Sequence, residues 1–400
     1  MPSDLKYNNR IRVLDALRSL KVSTAGTIAE NTGLSRQTVT KSLTSFIKKG
    51  IVVCVGKGTT TATGGKPPEQ YALTNEKFFI CISLWPNDLR ITIFSLGGDA
   101  LCSFFENHPL GVNPKAEIDY AADKCLSMLK NNGMEKSAVC AVSLSTSGII
   151  DRKNGLLKYS SQSPDWGSDI PMERYLSHHF ENALIFLENA GKMTARPYLK
   201  NEKLSDKRIL VIFASWGLSS CLIEKNNILN GKNSLIGEIG HMVIDPNDME
   251  KCGCGSCGCL ERLVSPQRLN AIINEKEKKY PLSPLAKKTA TLPEIFALSG
   301  NGDILANELS RYMAEAFALA LRNISLVFDP DLVVFQGDYS KADGLFNKTL
   351  IESLKHFRYY PHSTDAFEIV YDDRPLKELD TLGSYIAVSD CYFSQAQIYE

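Results

Sequence analysis

The sequence predicts an α/β protein in which a small N-terminal winged helix-turn-helix precedes a larger body of strands and helices. Three observations carry that prediction. Residues 1–66 hold 11 Lys/Arg against 3 Asp/Glu, a net of +8, and the other 334 hold 34 against 42, so an overall net charge of zero hides a basic head on an acidic body. Apolar residues in the first 50 positions recur at helical spacing in three short segments. From Phe79 the chain changes character: FFICISL, LRITIFSL, AVCAVSLSTSGIID, ALIFLEN, RILVIFAS and DLVVFQGD are buried-strand runs separated by helical stretches.

The head is justified element by element. Ile11, Leu14, Leu17 and Leu20 predict the apolar face of a first helix over residues 10–20. Residues 24–32 predict a second, with Ile28 and Ala29 inward and Gly33 as its stop. Ser35 caps a third helix whose inner face is Val39, Leu43, Phe46 and Ile47, and Gly50 ends it. Arg36, Gln37, Thr38, Thr40, Lys41 and Thr44 then face outward near its N-terminal half, with Ser35 at the cap. That half of a recognition helix meets base edges and phosphates in the major groove. No acid occurs between Asn31 and Pro68, which an ordinary solvated helix face would include. Residues 51–55 and 69–73 predict two strands around a long tip, GKGTTTATGGKPP. Its Lys57, Gly64, Gly65 and Lys66 suit a wing that lies along a phosphate backbone or enters a minor groove, against the plainer reading of a flexible linker. The expected partner is double-stranded DNA.

In the body, residues 114–132 predict one helix and 304–328 a long one. Leu305, Leu309, Met313, Phe317, Leu321 and Ile324 of the latter form a stripe that reads as core. The expected boundaries are 1–75 for the winged helix and 76–400 for the body, with lobes of about 76–190 plus the C-terminal helix and about 191–380. Hydrophobic residues make up 44% of the chain, which excludes wholesale disorder, and no run approaches the ~20 apolar residues of a membrane span. MPSDLKYNNR carries no apolar segment behind its charges, so the expectation is a cytoplasmic protein with no secretory leader and no membrane partner.

Eleven cysteines are unevenly placed. Cys81, Cys140 and Cys221 are among seven scattered ones that read as small core residues, while Cys252, Cys254, Cys257 and Cys259 fall within eight residues. With His241 eleven residues upstream of Cys252, three thiolates and one imidazole make a closed tetrahedral zinc set, and any four of the five are candidates. With no open position for water, such a zinc is structural.

At these residues the chain resembles the ROK family, which groups bacterial sugar-responsive repressors and sugar kinases. Gly237-Glu238-Ile239-Gly240-His241 and the run from Cys252 to Glu261 resemble its zinc and sugar motif. GGKPP in the wing resembles an element of the family's repressors. Ser145-Thr146-Ser147-Gly148-Ile149-Ile150-Asp151 resembles the loop that approaches the sugar, SPDWGSDIPM the segment closing over it, and FDPDLVVFQGD a late strand. The resemblance implies an actin-like (ribonuclease H-like) two-lobed body with a ligand cleft, working as a homodimer or homotetramer. It implies zinc on His241, Cys252, Cys254 and Cys259, omitting Cys257. It also implies a sugar met by Ser147, Gly148, Asn189, Glu238, His241 and Glu261, for which carboxylates and amides are suitable partners of vicinal hydroxyls. His241 then serves the metal through one ring nitrogen and the ligand through the other.

Departures from the family's kinases bear on activity. Their acidic Gly-Gly-Thr turn is here Ser83-Leu84-Trp85-Pro86-Asn87, where proline removes a donor and tryptophan adds bulk. The second phosphate loop reads Ala214-Ser215-Trp216-Gly217-Leu218-Ser219, with one glycine. The kinases' Glu-Asn-Asp, whose aspartate is the general base, is Glu188-Asn189-Ala190, and alanine accepts no proton. A late Gly-Gly has become Gly337-Asp338. The expectation is therefore a sugar-responsive repressor of carbohydrate uptake or catabolism genes, not an enzyme, with a sugar or sugar-phosphate effector. The alternatives are a ligand-blind regulator whose body is a dimerisation or docking scaffold and, behind it, an active sugar kinase.

Overall fold

A computed structural model of the chain describes residues 2–58, 67–286, 288–356 and 367–400. The head opens with α1 (Pro2–Leu20), β1 (Val22–Thr24), α2 (Ala25–Thr32), α3 (Arg36–Lys48), β2 (Val52–Lys57) and β3 (Glu69–Leu73). Its three strands form an antiparallel sheet in the order β1-β3-β2. Three helices on a three-stranded sheet make the winged-helix arrangement, although the short strand β1 gave no periodic signal. Thr24 and Ser35 cap α2 and α3 by accepting from Thr27 N and Thr38 N, and Gly33 ends α2 at φ 66°, a left-handed turn that favours glycine.

Two details of the head differ from the sequence expectation. Helix α1 begins at Pro2 rather than near residue 10, and its buried stripe is Arg10, Val13, Leu14 and Leu17, with Ile11 and Leu20 only half-buried. The stripe is turned because the Arg10 guanidinium takes an inward position. Ile47 is exposed: Ser42 and Leu43 share the inner face of α3 with Val39 and Phe46, which leaves Ile47 a further hundred degrees round.

The body continues with β4 (Phe78–Trp85), β5 (Asp88–Ser95), β6 (Ala100–Asn107), α4 (Pro114–Asn131), β7 (Val139–Thr146), the hairpin β8 (Ile149–Asp151) and β9 (Leu156–Tyr159), α5 (Met172–Ser177) and β10 (Leu184–Asn189). It then runs through α6 (Ala190–Ala195), β11 (Ile209–Ala214), β12 (Leu218–Glu224), β13 (Asn227–Ile228), α7 (Leu260–Leu263), α8 (Pro266–Lys276), α9 (Leu292–Gly300) and α10 (Ile304–Ser325). It ends with β14 (Leu332–Gly337), α11 (Gly344–His356), β15 (Glu368–Asp372) and α12 (Leu376–Phe393). Two five-stranded sheets result, β6-β5-β4-β7-β10 and β13-β12-β11-β14-β15. Their layouts match: three antiparallel strands on one side, then a strand parallel to the first (β7 along β4, β14 along β11), then one more.

The chain gathers into two compact units, Met1–Thr146 with Pro171–Glu188 and Ser384–Glu400, and Ser147–Ile170 with Asn189–Gly383. The winged helix is part of the first. In the second, the stripe of α10 is buried along its whole length, as its spacing predicts. Phe317 meets Phe335, Tyr339 and Phe346 edge-on at 4.8–6.1 Å, a packing that fixes the helix over β11 and β14. Cys81 and Cys221 are core residues, whereas Cys140 is half-buried.

Candidate functional site

On the head, Ser35, Arg36, Gln37, Thr40, Lys41 and Thr44 are exposed and Thr38 is half-buried. Exposed Lys48, which the sequence reading did not single out, and Ile47, which it placed on the inner face, extend the same face. The face is held in register by its own hydroxyls: Thr40 Oγ1 donates to Arg36 O and Thr44 Oγ1 to Thr40 O, both at 2.9 Å. Lys57 is exposed at the end of β2. Gly64, Gly65 and Lys66 lie outside the described residues. Several head cations face the protein instead: Arg12 donates to Thr32 O, Lys21 to Gly97 O, and Arg10 and Lys49 to carbonyls of residues 397–400.

In the second unit the chain folds into a cysteine loop. His241, Cys252, Cys254 and Cys259 bring their ligand atoms within 4.8 Å of one another. Cys254 Sγ and Cys259 Sγ are 3.7 Å apart, and Cys252 Sγ is 3.6 Å from His241 Nδ1. Ideal Zn–S and Zn–N bonds give a tetrahedron with edges of about 3.8 Å between sulfurs and about 3.5 Å from sulfur to nitrogen. The four donors therefore fit a zinc ion, and they are the four that the resemblance selects. Cys257 turns away, its Sγ 3.5 Å from Met249 O. Glycine makes the turn possible: Gly258 sits at φ 71°, and a Cβ there would lie 1.9 Å from Asp245 O. Burial, then the neighbouring thiols, raise the Cys259 thiol to about 12 in the metal-free set, so a cation would bind with release of protons.

A cavity of about 50 Å³ lies beside this loop, wholly within the second unit. It brings together all six sugar candidates, Ser147, Gly148, Asn189, Glu238, His241 and Glu261, with Ala190 among them. Most already have partners. Asn189 Oδ1 accepts from Gly191 N (2.8 Å) and Lys192 N (3.4 Å) as the cap of α6, and its Nδ2 donates to Gly148 O at 2.8 Å. Ser147 Oγ is 3.2 Å from Ser160 Oγ. Glu261 Oε2 accepts from Leu218 N at 2.7 Å, tying the cysteine loop to β12. Glu238 differs, since its carboxylate forms no hydrogen bond among the described residues. Burial pushes its carboxyl upward, against the pull of His241 and the buried Lys192.

Of the far wall of the cavity, the sequence reading named Trp216, Leu218 and Ser219 as an altered phosphate loop and missed Ser161, Gln162 and Phe213. Ser161, Gln162, Phe213, Trp216, Leu218 and Ser219 line that wall, with the Phe213 and Trp216 rings edge-on at 5.1 Å. The lining takes Ser161 and Gln162, just before SPDWGSDIPM, and none of the residues of that segment.

The corner between β4 and β5 is filled by its own side chains. Trp85 opposes Asp88 across a turn of Pro86 and Asn87, and the Arg90 guanidinium lies 3.8 Å from the centre of the Trp85 ring. Arg90 Nε is 3.1 Å from Asp88 Oδ1, and Trp85 Nε1 donates to Ser145 Oγ at 3.4 Å. His108 N and Leu110 N take up the turn's Asn87 and Pro86 carbonyls.

Fold and site together define a class: a duplicated α/β scaffold, shared by transcriptional regulators and sugar kinases, here carrying a winged helix and a His/Cys₃ loop. The chain belongs to the ROK family, whose model matches residues 103–374. It is 23% identical over 345 residues to the DNA-binding transcriptional dual regulator NagC of Escherichia coli, covering 83% of this chain and 82% of that protein. It is 28% identical over 240 residues to the glucokinase of Thermotoga maritima, covering 57% of this chain and 73% of the enzyme. The solved ROK family transcriptional regulator described as a homolog of the E. coli MLC protein superposes with a TM-score of 0.79 at 17% identity, covering 99% of this chain and all of that one.

Proposed function

We propose that this chain is a sugar-responsive transcriptional regulator, acting as a repressor of carbohydrate uptake or catabolism genes. The observation that carries this reading is the exposed, acid-free face of α3, with Arg36, Gln37, Thr40, Lys41 and Thr44 presented for a major groove. The match to NagC supports it, since it spans far more of this chain than the match to the glucokinase does. A homodimer or homotetramer places two such faces on a palindromic operator. Zinc on His241, Cys252, Cys254 and Cys259 holds the cysteine loop and, through Glu261 and Leu218, one wall of the effector cavity. A sugar or sugar-phosphate there shifts the population of DNA-binding conformations by as much as its affinities for them differ. Among the described residues no helix is long and apolar enough to cross a membrane.

Phosphoryl transfer is not part of this reading. Ala190 stands where a general base is needed, and Trp85, Pro86 and Arg90 fill the corner where a phosphate turn is expected. Incubation with ATP and a hexose panel is expected to yield no sugar phosphate. A second reading, a ligand-blind regulator, is favoured by one observation: the cavity of about 50 Å³ holds a few waters, far below the usual size of ligand pockets.

Fluorescence anisotropy on DNA from the gene's own upstream region, repeated with free and phosphorylated sugars at fixed salt, separates these readings. Release by one sugar supports the sensor, and tight binding that no sugar disturbs supports the ligand-blind regulator. Absence of specific binding removes both. Arg36→Ala and Lys41→Ala are expected to weaken operator binding roughly 10-fold each with sugar affinity unchanged. A parallel fall in both affinities would break the modular picture.

A further inference from the structure

Residues 393–400 pack into the head, all within the first unit. Arg10, 8% exposed at the N-terminal end of the buried stripe of α1, donates through Nη1 to Tyr399 O at 2.7 Å and to Glu400 O at 2.6 Å. Lys49, just past the end of α3, donates through Nζ to Gln397 O at 2.6 Å and Ile398 O at 3.1 Å. The Tyr399 ring, almost fully buried, lies edge-on to Tyr7 of α1 (5.5 Å) and Phe46 of α3 (6.2 Å), and its hydroxyl donates to Phe393 O at 2.8 Å. Arg18 of α1 completes the contact, with its guanidinium 4.3 Å from the centre of the Phe393 ring and Nη2 3.0 Å from Ser389 Oγ.

A cation buried on a helix stripe costs stability unless its donors are taken up. Here the acceptors are main-chain carbonyls some 390 positions away, so Arg10 and residues 397–400 are fitted to one another. Desolvation, with Arg10 the next contributor, lowers the Lys49 pKa, as befits a lysine turned to the protein rather than to a phosphate. Tyr399 touches both the helix that scaffolds the head and the helix that presents the reading face, at Phe46, two turns from Thr38 and Val39.

We infer that Tyr399, with Arg10 and Lys49, is a positioning residue for DNA recognition: the segment 393–400 braces α3 against α1 and sets the angle at which Arg36, Gln37 and Lys41 are offered to DNA. The inference rests on the DNA-binding reading of the head. It adds that the reading head is a composite of both ends of the described chain. Helix α12 ends at Phe393, where this bracing segment starts.

The test uses the full chain with Tyr399→Ala and the conservative Tyr399→Phe, each read by amide hydrogen exchange without DNA and by anisotropy on operator and scrambled duplexes. Tyr399→Ala is expected to speed exchange in the C-terminal half of α3 about 10-fold. It should lower operator affinity about 10-fold with less than a 2-fold change on scrambled DNA, and Tyr399→Phe should restore both. A merely structural contact would speed exchange without changing the operator-to-scrambled ratio, and that outcome overturns the inference. Unchanged exchange in Tyr399→Ala overturns it as well. Wild-type protein that fails to distinguish operator from scrambled DNA instead overturns the regulator reading, which is a separate failure.

Discussion

The turn between β4 and β5 and the turn between β11 and β12 occupy the same place in two sheets of the same layout, and each carries a tryptophan. Trp85 is 4% exposed, with Arg90 on its ring and Ser145 at its indole nitrogen. Trp216 is half-buried and borders the cavity with Phe213 beside it. The difference arises in what surrounds each turn. The first has an arginine two residues past its aspartate and two main-chain donors that take its carbonyls, so it closes on itself. The second is flanked by Gly217 and by the cysteine loop, which holds the start of β12 through Glu261. In two sheets of one layout, one corner is thus closed by its own side chains while the other borders a cavity beside the cysteine loop.

The largest expected effect tests that wall. Removing zinc by chelation, or Cys259→Ser, should cost several kcal/mol, since a structural zinc contributes apparent binding energies on the order of 10–16 kcal/mol that are realised as folding. The check is metal content, expected at one zinc per chain, together with melting before and after chelator. Cys257→Ser should behave as wild type, because Cys257 faces Met249 O. If Cys257→Ser loses the zinc and Cys259→Ser keeps it, the donor set is wrong.

A smaller effect is expected at the closed corner. Arg90→Ala removes the guanidinium from the Trp85 ring and leaves Asp88 without its ion-pair partner, at a cost of about 2–4 kcal/mol. Urea unfolding gives the number. Zinc content should not move, because Arg90 and the cysteine loop belong to different units. Loss of zinc in Arg90→Ala would contradict the separation of the two corners.

The two corners also differ in how much of them could be read beforehand. The cysteine loop with His241 was legible as a group because its residues lie close in sequence, and the resemblance, not the spacing, singled out the four that the structure brings together. The cap Ser35 and the stripe of α10 were legible because capping and helical periodicity are local. What stayed hidden depended on distant partners. Nothing near Arg10 announces that it will be buried, since its acceptors are the carbonyls of Tyr399 and Glu400. Nor does the sequence say which of the head's cations face inward: Arg10, Arg12, Arg18, Lys21 and Lys49 donate to protein groups. Ile47 left the inner face of α3 because Ser42, small and polar, filled it instead.

The smallest stability effect and the finest test of the comparison lie at Trp216. Its ring is half-buried and packs edge-on against Phe213, so Trp216→Phe should change stability by about 1 kcal/mol or less. The chain has three tryptophans, and the other two, Trp85 and Trp166, are 4% and 7% exposed. An effector entering the cavity therefore reaches one indole of the three. Emission should shift on binding in the wild type and in Trp166→Phe, and the shift should vanish in Trp216→Phe while melting still rises with ligand. If the shift survives in Trp216→Phe, the ligand acts elsewhere, and the β11–β12 turn is as closed to it as the β4–β5 turn.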